Sequence, residues 1–172
     1  MLRYAPILRL IFRRHERRPL NRRPALDTLF QQLAVSTGAE EALETEDRIW
    51  SLWMYHPHRS VTEQLELATR DIAARRYDIA ETRLAALLRR RPDFAEAWHK
   101  RCTLYYLIGR DEECLNDIAR TLELEPRHFG AILNCAEILL GAGEREPARL
   151  AFSAALLLHP HLARARQVLA QR

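Results

Sequence analysis

The stretch Glu123–Gly130, ELEPRHFG, decides the fold because the proline within it recurs at a fixed interval. Pro126 lies 34 residues after Pro92, in RRRPDFAE, and 34 residues before Pro160, in LLHPHLAR. Self-similarity at a fixed period of this length indicates a structural unit that is copied along the chain. The prolines therefore predict at least three consecutive units of equal length.

Blocks that start at Val61, Ala95 and Phe129 align small side chains as well as prolines. The eighth and the twentieth position of every block hold Ala or Cys. Small residues at two places a dozen residues apart let two helices approach closely, because no bulky side chain separates their axes. Each block therefore predicts a helix, a turn and a second helix. The six residues are Ala68, Cys102 and Ala136, then Ala80, Cys114 and Ala148.

Glycines lie where the first helix of a block should end: Gly109 in the second block, and Gly141 with Gly143 in the third. Glycine tolerates the left-handed backbone conformation that commonly follows a helix C-terminus. The recurring proline then ends the second helix, because it cannot donate a helical hydrogen bond and disfavours the α conformation of the residue before it.

The composition agrees with an all-α fold. The 172 residues include only 5 glycines and 8 prolines, and no apolar run approaches the roughly 18 residues that a membrane-spanning helix requires. Three cysteines do not form the framework of a disulfide-rich secreted domain. Because Cys102 and Cys114 share one predicted hairpin, they could bridge in an oxidising compartment, but we expect thiols.

These residues resemble the tetratricopeptide repeat (TPR) family, whose 34-residue unit has large and small residues at set places. The second block matches through Trp98, Tyr105 and Pro126, and departs at Arg101, where leucine is usual. The third block matches at Ile132, Ala136, Leu139, Ala148, Phe152, Ala155 and Pro160, and the first, more weakly, at Leu67, Ala68, Ala80, Leu84 and Pro92.

The resemblance implies a right-handed α-α superhelix, a TPR solenoid of three units at 61–94, 95–128 and 129–162. Residues 163–172 are expected to form a capping helix. Residues 25–60 are interpreted as a degenerate hairpin that caps the other end. Its two predicted apolar stripes are Leu26, Leu29, Phe30 and Leu33, then Leu43, Ile49, Trp50, Leu52 and Trp53.

The family resemblance also implies a concave groove lined by the first helix of each unit, where an extended peptide or a helix of a protein partner binds. The expected groove residues are Leu65, Thr69, Glu96, His99, Thr103, Tyr106, Leu133, Glu137, Leu140, Arg164 and Gln167. Relatives that clamp a chaperone's terminal carboxylate use Lys, Asn and basic residues at places that hold Leu65, Thr69, Gly130 and Asn134 here, so no such docking is expected.

The basic N-terminal segment, residues 1–24, is the second candidate for recognition. Eight arginines lie within residues 1–23 against one glutamate, while the rest of the chain is mildly acidic. Tyr4, Ile7, Leu8 and Ile11 follow helical spacing and predict an amphipathic helix. It could lie on an anionic membrane, contact a partner, serve as a cleavable targeting segment, or form a tail that is disordered or docks on its own chain. The contact residues would be Arg9, Arg13, Arg14 and Arg17.

Catalytic and cofactor motifs are not found in the sequence, and nucleic-acid binding is unlikely because the repeat body is acidic. The sequence HPH occurs twice, at His56–His58 and His159–His161. Both copies lie at predicted helix exits, where a polar turn is the simpler reading, so no metal site is predicted. We expect a non-catalytic interaction module without cofactors. The sequence leaves its compartment open: a cytoplasmic or membrane-peripheral location is favoured, and an organelle or the periplasm is the alternative. The alternatives are a membrane-peripheral assembly factor that uses its basic helix, and an enzyme or metal protein.

Overall fold

The computed structural model describes residues 4–13, 16, 19 and 23–171, and within these residues every extended regular element is an α-helix. The predicted all-α fold is confirmed. The helices are α1 (Ala5–Phe12), α2 (Pro24–Val35), α3 (Ala39–Met54), α4 (Arg59–Ala73), α5 (Tyr77–Arg90), α6 (Ala95–Leu107), α7 (Asp111–Leu124), α8 (Phe129–Gly141), α9 (Arg145–Leu158) and α10 (Ala163–Ala170). None of these helices is both long and apolar enough to cross a membrane.

Three antiparallel hairpins, α4–α5, α6–α7 and α8–α9, form the repeat units. All six of the small residues at the eighth and twentieth positions are fully buried. The first helices contact one another along the stack, since α6 packs against both α4 and α8. They form an inner row, and we call the surface of α4, α6 and α8 on that side the concave face. The helices α5, α7 and α9 form the outer row.

The turn inside each hairpin uses a left-handed residue at the same repeat position. Gly109 and Gly143 have φ values of 72° and 79°, as the sequence predicts, and the first repeat places Arg75 there with φ 57°. A residue with a Cβ is strained in this conformation, whereas glycine is not. The first repeat therefore keeps the turn at an energetic cost that the other two avoid.

Arg101, which replaces the usual leucine of the family, is explained by its neighbours. Its guanidinium group lies 4.9 Å from the centre of the Trp98 ring and 5.6 Å from that of Tyr105. It also donates two hydrogen bonds, of 2.7 and 2.8 Å, to the carboxylate of Asp117 on α7. The arginine stem fills the space of a leucine, and its charged head ties α6 to α7.

The C-terminal helix α10 packs against α9 and buries Ala165 and Val168 in the core of the third repeat. Arg166 Nε donates a 2.7 Å hydrogen bond to the carbonyl oxygen of Pro160, which fixes the start of α10 against the preceding turn. The exposed side of α10 is polar. This placement covers apolar surface of the last repeat, as a terminal helix of a repeat array is expected to do.

The N-terminal helix α1 folds back onto its own chain. It lies against α7 and α9 on the outer row, and Ile7 and Ile11 are buried in the same core as Ile118. The Tyr4 hydroxyl donates a 2.9 Å hydrogen bond to Glu144 Oε2 at the turn before α9. The amphipathic helix predicted from the sequence is present, but its apolar face is covered by protein in this structure.

The hairpin α2–α3 does not stack on the outer end of the first repeat, which corrects the expectation of an N-terminal cap. Its apolar side forms a core with Phe129 and is packed by Leu158 and Leu162, which belong to the third repeat and the turn after it. The hairpin thus lies across the turns that join the repeats. Leu43, which the sequence assigned to the apolar stripe of α3, faces solvent and is 59% exposed.

Candidate functional site

The predicted groove residues fall into two groups. Leu65, Glu96 and His99 are buried and offer no surface to a partner in this conformation. The other eight are accessible: Tyr106, Arg164 and Gln167 are exposed, and the remainder are half-buried, namely Thr69, Thr103, Leu133, Glu137 and Leu140. Glu96 and His99 are covered by α3, which contacts α6 near its first turns, whereas Leu65 is part of the core of the first repeat. Sequence periodicity could not reveal this cover, because it comes from outside the repeats.

A buried polar cluster lies where α3 meets the concave face. Glu96 on α6 is its centre and has no exposed side-chain surface. His128 Nε2 is 2.8 Å from Glu96 Oε2, and His99 Nδ1 is 3.5 Å from Glu96 Oε1. Lys100, the single lysine of the chain, places Nζ 3.0 Å from Glu96 Oε1. One buried carboxylate therefore has three partners, which is what burial of a charge requires.

The charge states in this cluster follow from burial and from the neighbours. Burial alone would raise the pKa of Glu96, but the charge of His99, the hydrogen bonds from His128 and His99, and the charge of Lys100 together hold it well below its usual value. Burial lowers the pKa of His128 to about 4, with a further contribution from His99, although Glu96 opposes the shift. At neutral pH the cluster thus holds an ionised Glu96 and a neutral His128.

Two tryptophans of α3 cover this cluster. The Trp53 ring stacks on His128, and the Trp50 ring stacks on His99 with the two centroids 5.6 Å apart. Lys100 Nζ also lies 5.4 Å from the centre of the Trp50 ring. Aromatic stacking and the cation–π contact stabilise the contact between α3 and α6 and exclude water from the Glu96 carboxylate.

Side chains at the junctions between repeats also hold the hairpin α2–α3 in place. Arg127 Nη1 donates a 2.7 Å hydrogen bond to Asp27 on α2. His159 Nε2 is 2.9 Å from Glu46 on α3. These two contacts join residues 100 and 113 positions apart in the chain. Together with the tryptophans, they fix α2–α3 across the junctions before α8 and α10.

Both HPH sequences form the same local turn. His58 N donates to His56 Nδ1 at 3.0 Å, and His161 N donates to His159 Nδ1 at 3.3 Å. The first histidine of each motif therefore accepts a backbone hydrogen bond two residues later in the chain, which stabilises the exit from a helix. The interpretation of HPH as a polar turn rather than a metal site agrees with this geometry.

Glu96, His99 and His128 also bring three possible metal-ligand atoms within 4.8 Å of one another. Two features oppose a divalent cation there. Lys100 Nζ already contacts the carboxylate. In addition, His128 Nδ1 accepts a 3.2 Å hydrogen bond from Ala131 N, so Nε2 carries the proton of the neutral ring and is not a free donor atom for a metal. The three residues therefore fit a hydrogen-bonded structural cluster better than a metal centre.

The open part of the concave face lies beyond α3, toward the C-terminal halves of α4, α6 and α8. Tyr106 is 39% exposed and Leu140 is half-buried. Arg164 donates hydrogen bonds of 2.6 and 3.0 Å to the two carboxylate oxygens of Glu137. The hydroxyl of Thr103 donates to His99 O at 3.1 Å within its own helix, so it is already satisfied. This surface combines an apolar centre with a bidentate ion pair.

The predicted N-terminal contact residues are only partly described. Arg9 and Arg13 are exposed, while Arg14 and Arg17 lie outside the described residues. Because the apolar face of α1 is packed against α7 and α9, the surface left for an external contact consists of exposed residues such as Arg9 and Phe12. Insertion of this helix into a membrane surface would first require its release from the outer row.

Cys102, Cys114 and Cys135 are buried thiols in this structure. Asn134 Nδ2 donates a hydrogen bond to Cys102 Sγ at 3.4 Å. A hydrogen bond with Cys102, together with burial, raises the pKa of Cys114, and burial raises that of Cys135 to about 12. The thiolate form that reacts with electrophiles and metals is therefore strongly disfavoured at Cys114 and Cys135.

No family model matches this chain. Among curated proteins, it is similar to a TPR repeat-containing protein of Rhizobium etli, with 30% identity over 135 residues that cover 78% of this chain and 66% of the relative. The fold and the relative both indicate a protein-interaction module in general terms. The 34-residue register, the three helical hairpins packed through small residues, and this similarity place the chain in the tetratricopeptide repeat family.

Proposed function

We propose that this chain is a non-catalytic interaction module that binds a segment of a protein partner in the open part of its concave face. The observation that carries the proposal is the exposure of Tyr106, which holds the same repeat position as the half-buried Leu140, on the inner row where members of the family bind peptides. Tyrosine is enriched among the residues that contribute most to protein binding. The ion pair of Glu137 with Arg164 supplies a polar rim.

The chemistry of the surface favours a segment with an apolar anchor over a strongly charged one. Glu137 and Arg164 neutralise each other, and the hydroxyl groups of Thr69 and Thr103 are bound to carbonyl oxygens of their own helices. These two hydroxyl groups therefore have no hydrogen left to donate and can only accept from a ligand. An anchor on Tyr106 and Leu140 would be flanked by weakly polar surface, which suits an extended or helical peptide of mixed composition.

The buried polar cluster contributes to this function by fixing α3, and it does not itself act on a substrate. Glu96, His99 and His128 are enclosed by Trp50 and Trp53, and each polar group has a partner. A general acid or base must reach the proton that it transfers, and the side chains of Glu96 and His128 have no exposed surface. The cluster limits the available part of the concave face to the region around Tyr106.

Affinity purification of tagged protein from its own cells tests the proposal. The double variant Tyr106→Ala with Leu140→Glu is expected to lose its specific partners. The matched control, Leu157→Ala, removes an exposed leucine of α9 on the outer row and should keep them. A partner set that is the same for all three proteins would contradict binding at the concave face.

A further inference from the structure

Among the residues that the structure describes, nothing covers the outer stacking face of the first repeat. In an array of hairpins, each unit covers one side of the next, so the side of α4 and α5 that faces away from α6 is left to whatever precedes it. The hairpin α2–α3 does not cover this side, because it packs across the later repeat junctions. A groove of about 1000 Å³ remains there between α4 and α5.

Comparison of equivalent positions shows that the groove occupies a stacking position. Gln64 and Arg90 line it and are exposed. Their counterparts in later repeats are covered: Leu124, one repeat period after Arg90, and Ile132, two periods after Gln64, are buried. The same places that a preceding hairpin covers in the second and third repeats are thus uncovered in the first.

The lining of the groove is apolar at its centre and basic at its edge. Ile79 is 49% exposed and Val61 is half-buried. Arg90, at the C-terminal end of α5, is exposed, and within the described part of the chain no carboxylate forms an ion pair with it. Arg91 at the same end pairs with Asp93 at 3.2 Å. Asp78 is the acidic residue of the lining.

We propose that this groove binds an amphipathic helix of a partner protein, with an apolar stripe toward Ile79 and acidic side chains toward Arg90. A helix is the expected occupant because the stacking position is filled by a helix in the other repeats, where α5 packs on α6 and α7 on α8. Acidic flanks are expected because Arg90 has no ion-pair partner among the described residues, whereas the other two arginines of the lining, Arg83 and Arg91, pair with Asp71 and Asp93. The site is separate from the concave face and does not depend on it.

Selection from a displayed library of helical peptides against the full chain tests this inference without knowledge of the natural partner. The selected peptides are expected to be amphipathic and acidic. Because they insert an apolar side chain beside Ile79, their affinity should fall on the order of tenfold or more for Ile79→Lys. The exposed position of Ile79 makes the variant compatible with the fold, and equal thermal unfolding of the two proteins verifies this.

Two further variants separate the possible outcomes. Arg90→Glu should lower the affinity of the acidic peptides severalfold and reduce the salt dependence of their binding. Tyr106→Ala lies in the concave face and should leave the affinity of these peptides unchanged. A failed test of the groove is therefore distinguishable from a failed test of partner binding at the concave face. Peptides with neutral or basic flanks, peptides that bind Ile79→Lys equally well, or no enrichment at all would overturn the inference.

A second copy of this chain is the competing occupant. Sedimentation velocity over a range of concentrations examines it directly. The proposal expects a monomer for the free protein. A dimer that dissociates in the Ile79→Lys variant would assign the groove to self-association and overturn the partner-helix proposal.

Discussion

Trp53 of α3 stacks on His128 at the junction between the second and third repeats, with ring centroids 4.1 Å apart and an angle of 11° between the rings. This contact joins a helix outside the repeats to a residue that also caps α8 through its Nδ1 atom. His128 thus contacts both the repeats and the hairpin α2–α3. We therefore expect the stability of each part to depend on the other.

Removal of the Trp53 ring should test this interdependence. We expect Trp53→Ala to lower the free energy of unfolding by about 3 to 5 kcal/mol, because a buried aromatic side chain is replaced by a cavity. Urea denaturation followed by circular dichroism measures the change. The control Tyr55→Ala, at an exposed residue just after α3, should change stability by less than about 0.5 kcal/mol. Equal effects of the two substitutions would show that α3 is not held through Trp53.

Stability should decrease as the pH falls below neutrality. The pKa of His128 is lowered in the folded state, so its contribution is present above its unfolded value near 6.5 and is lost as the pH falls toward 4. A difference of this size corresponds to roughly 3 kcal/mol at most. Glu96, whose pKa is also lowered, adds a loss of the same sign at more acidic pH.

Urea denaturation at pH 7 and pH 5 checks this prediction. The variant His128→Asn keeps an acceptor for the backbone N–H of Ala131 but does not titrate, so its stability should depend less on pH than that of the parent protein. Some dependence should remain, because burial also lowers the pKa of His56. If His128→Asn lost as much free energy of unfolding between pH 7 and pH 5 as the parent protein, His128 would not be a source of the pH dependence.

Gly130 is the place where the hairpin approaches the repeat backbone most closely. A Cβ atom at this position would lie 2.6 Å from Trp50 Cη2 and 3.1 Å from His99 Nε2. We expect Gly130→Ala to cost about 1 to 3 kcal/mol, because the Trp50 ring has to move out of its stack on His99. Thermal unfolding measures the loss. The same substitution at Gly141 meets no atom within 4 Å and should be neutral or stabilising by up to about 1 kcal/mol.

Arg75 occupies a turn position at which the other two repeats have glycine. Arg75→Gly should raise the free energy of unfolding by about 1 kcal/mol, because the left-handed backbone no longer carries a Cβ, although the greater freedom of glycine in the unfolded chain offsets part of the gain. The reverse change, Gly109→Ala, should destabilise the protein by a similar amount. A loss of stability in Arg75→Gly would contradict this account of the turn.

Much of the candidate site was predictable from sequence because it depends on repeat register. The register gives the inner row of helices, and with it the accessible residues Tyr106 and Leu140. It does not show that Glu96 and His99 are covered, because the covering residues Trp50 and Trp53 lie outside the repeats. A signal was nonetheless present at His128, whose counterpart one repeat period earlier is the buried Phe94, because a buried polar group requires partners from elsewhere.

The sequence by itself determined the helical hairpins, their turns and their order, because proline, glycine and small residues act through contacts within one repeat period. Only the tertiary structure decided where α1 and α2–α3 lie. Their positions depend on pairs such as Tyr4 with Glu144 and Ser36 with His161, which are 140 and 125 residues apart. Local periodicity shows that a helix has an apolar face, but complementary shape and charge on a distant surface decide what that face covers.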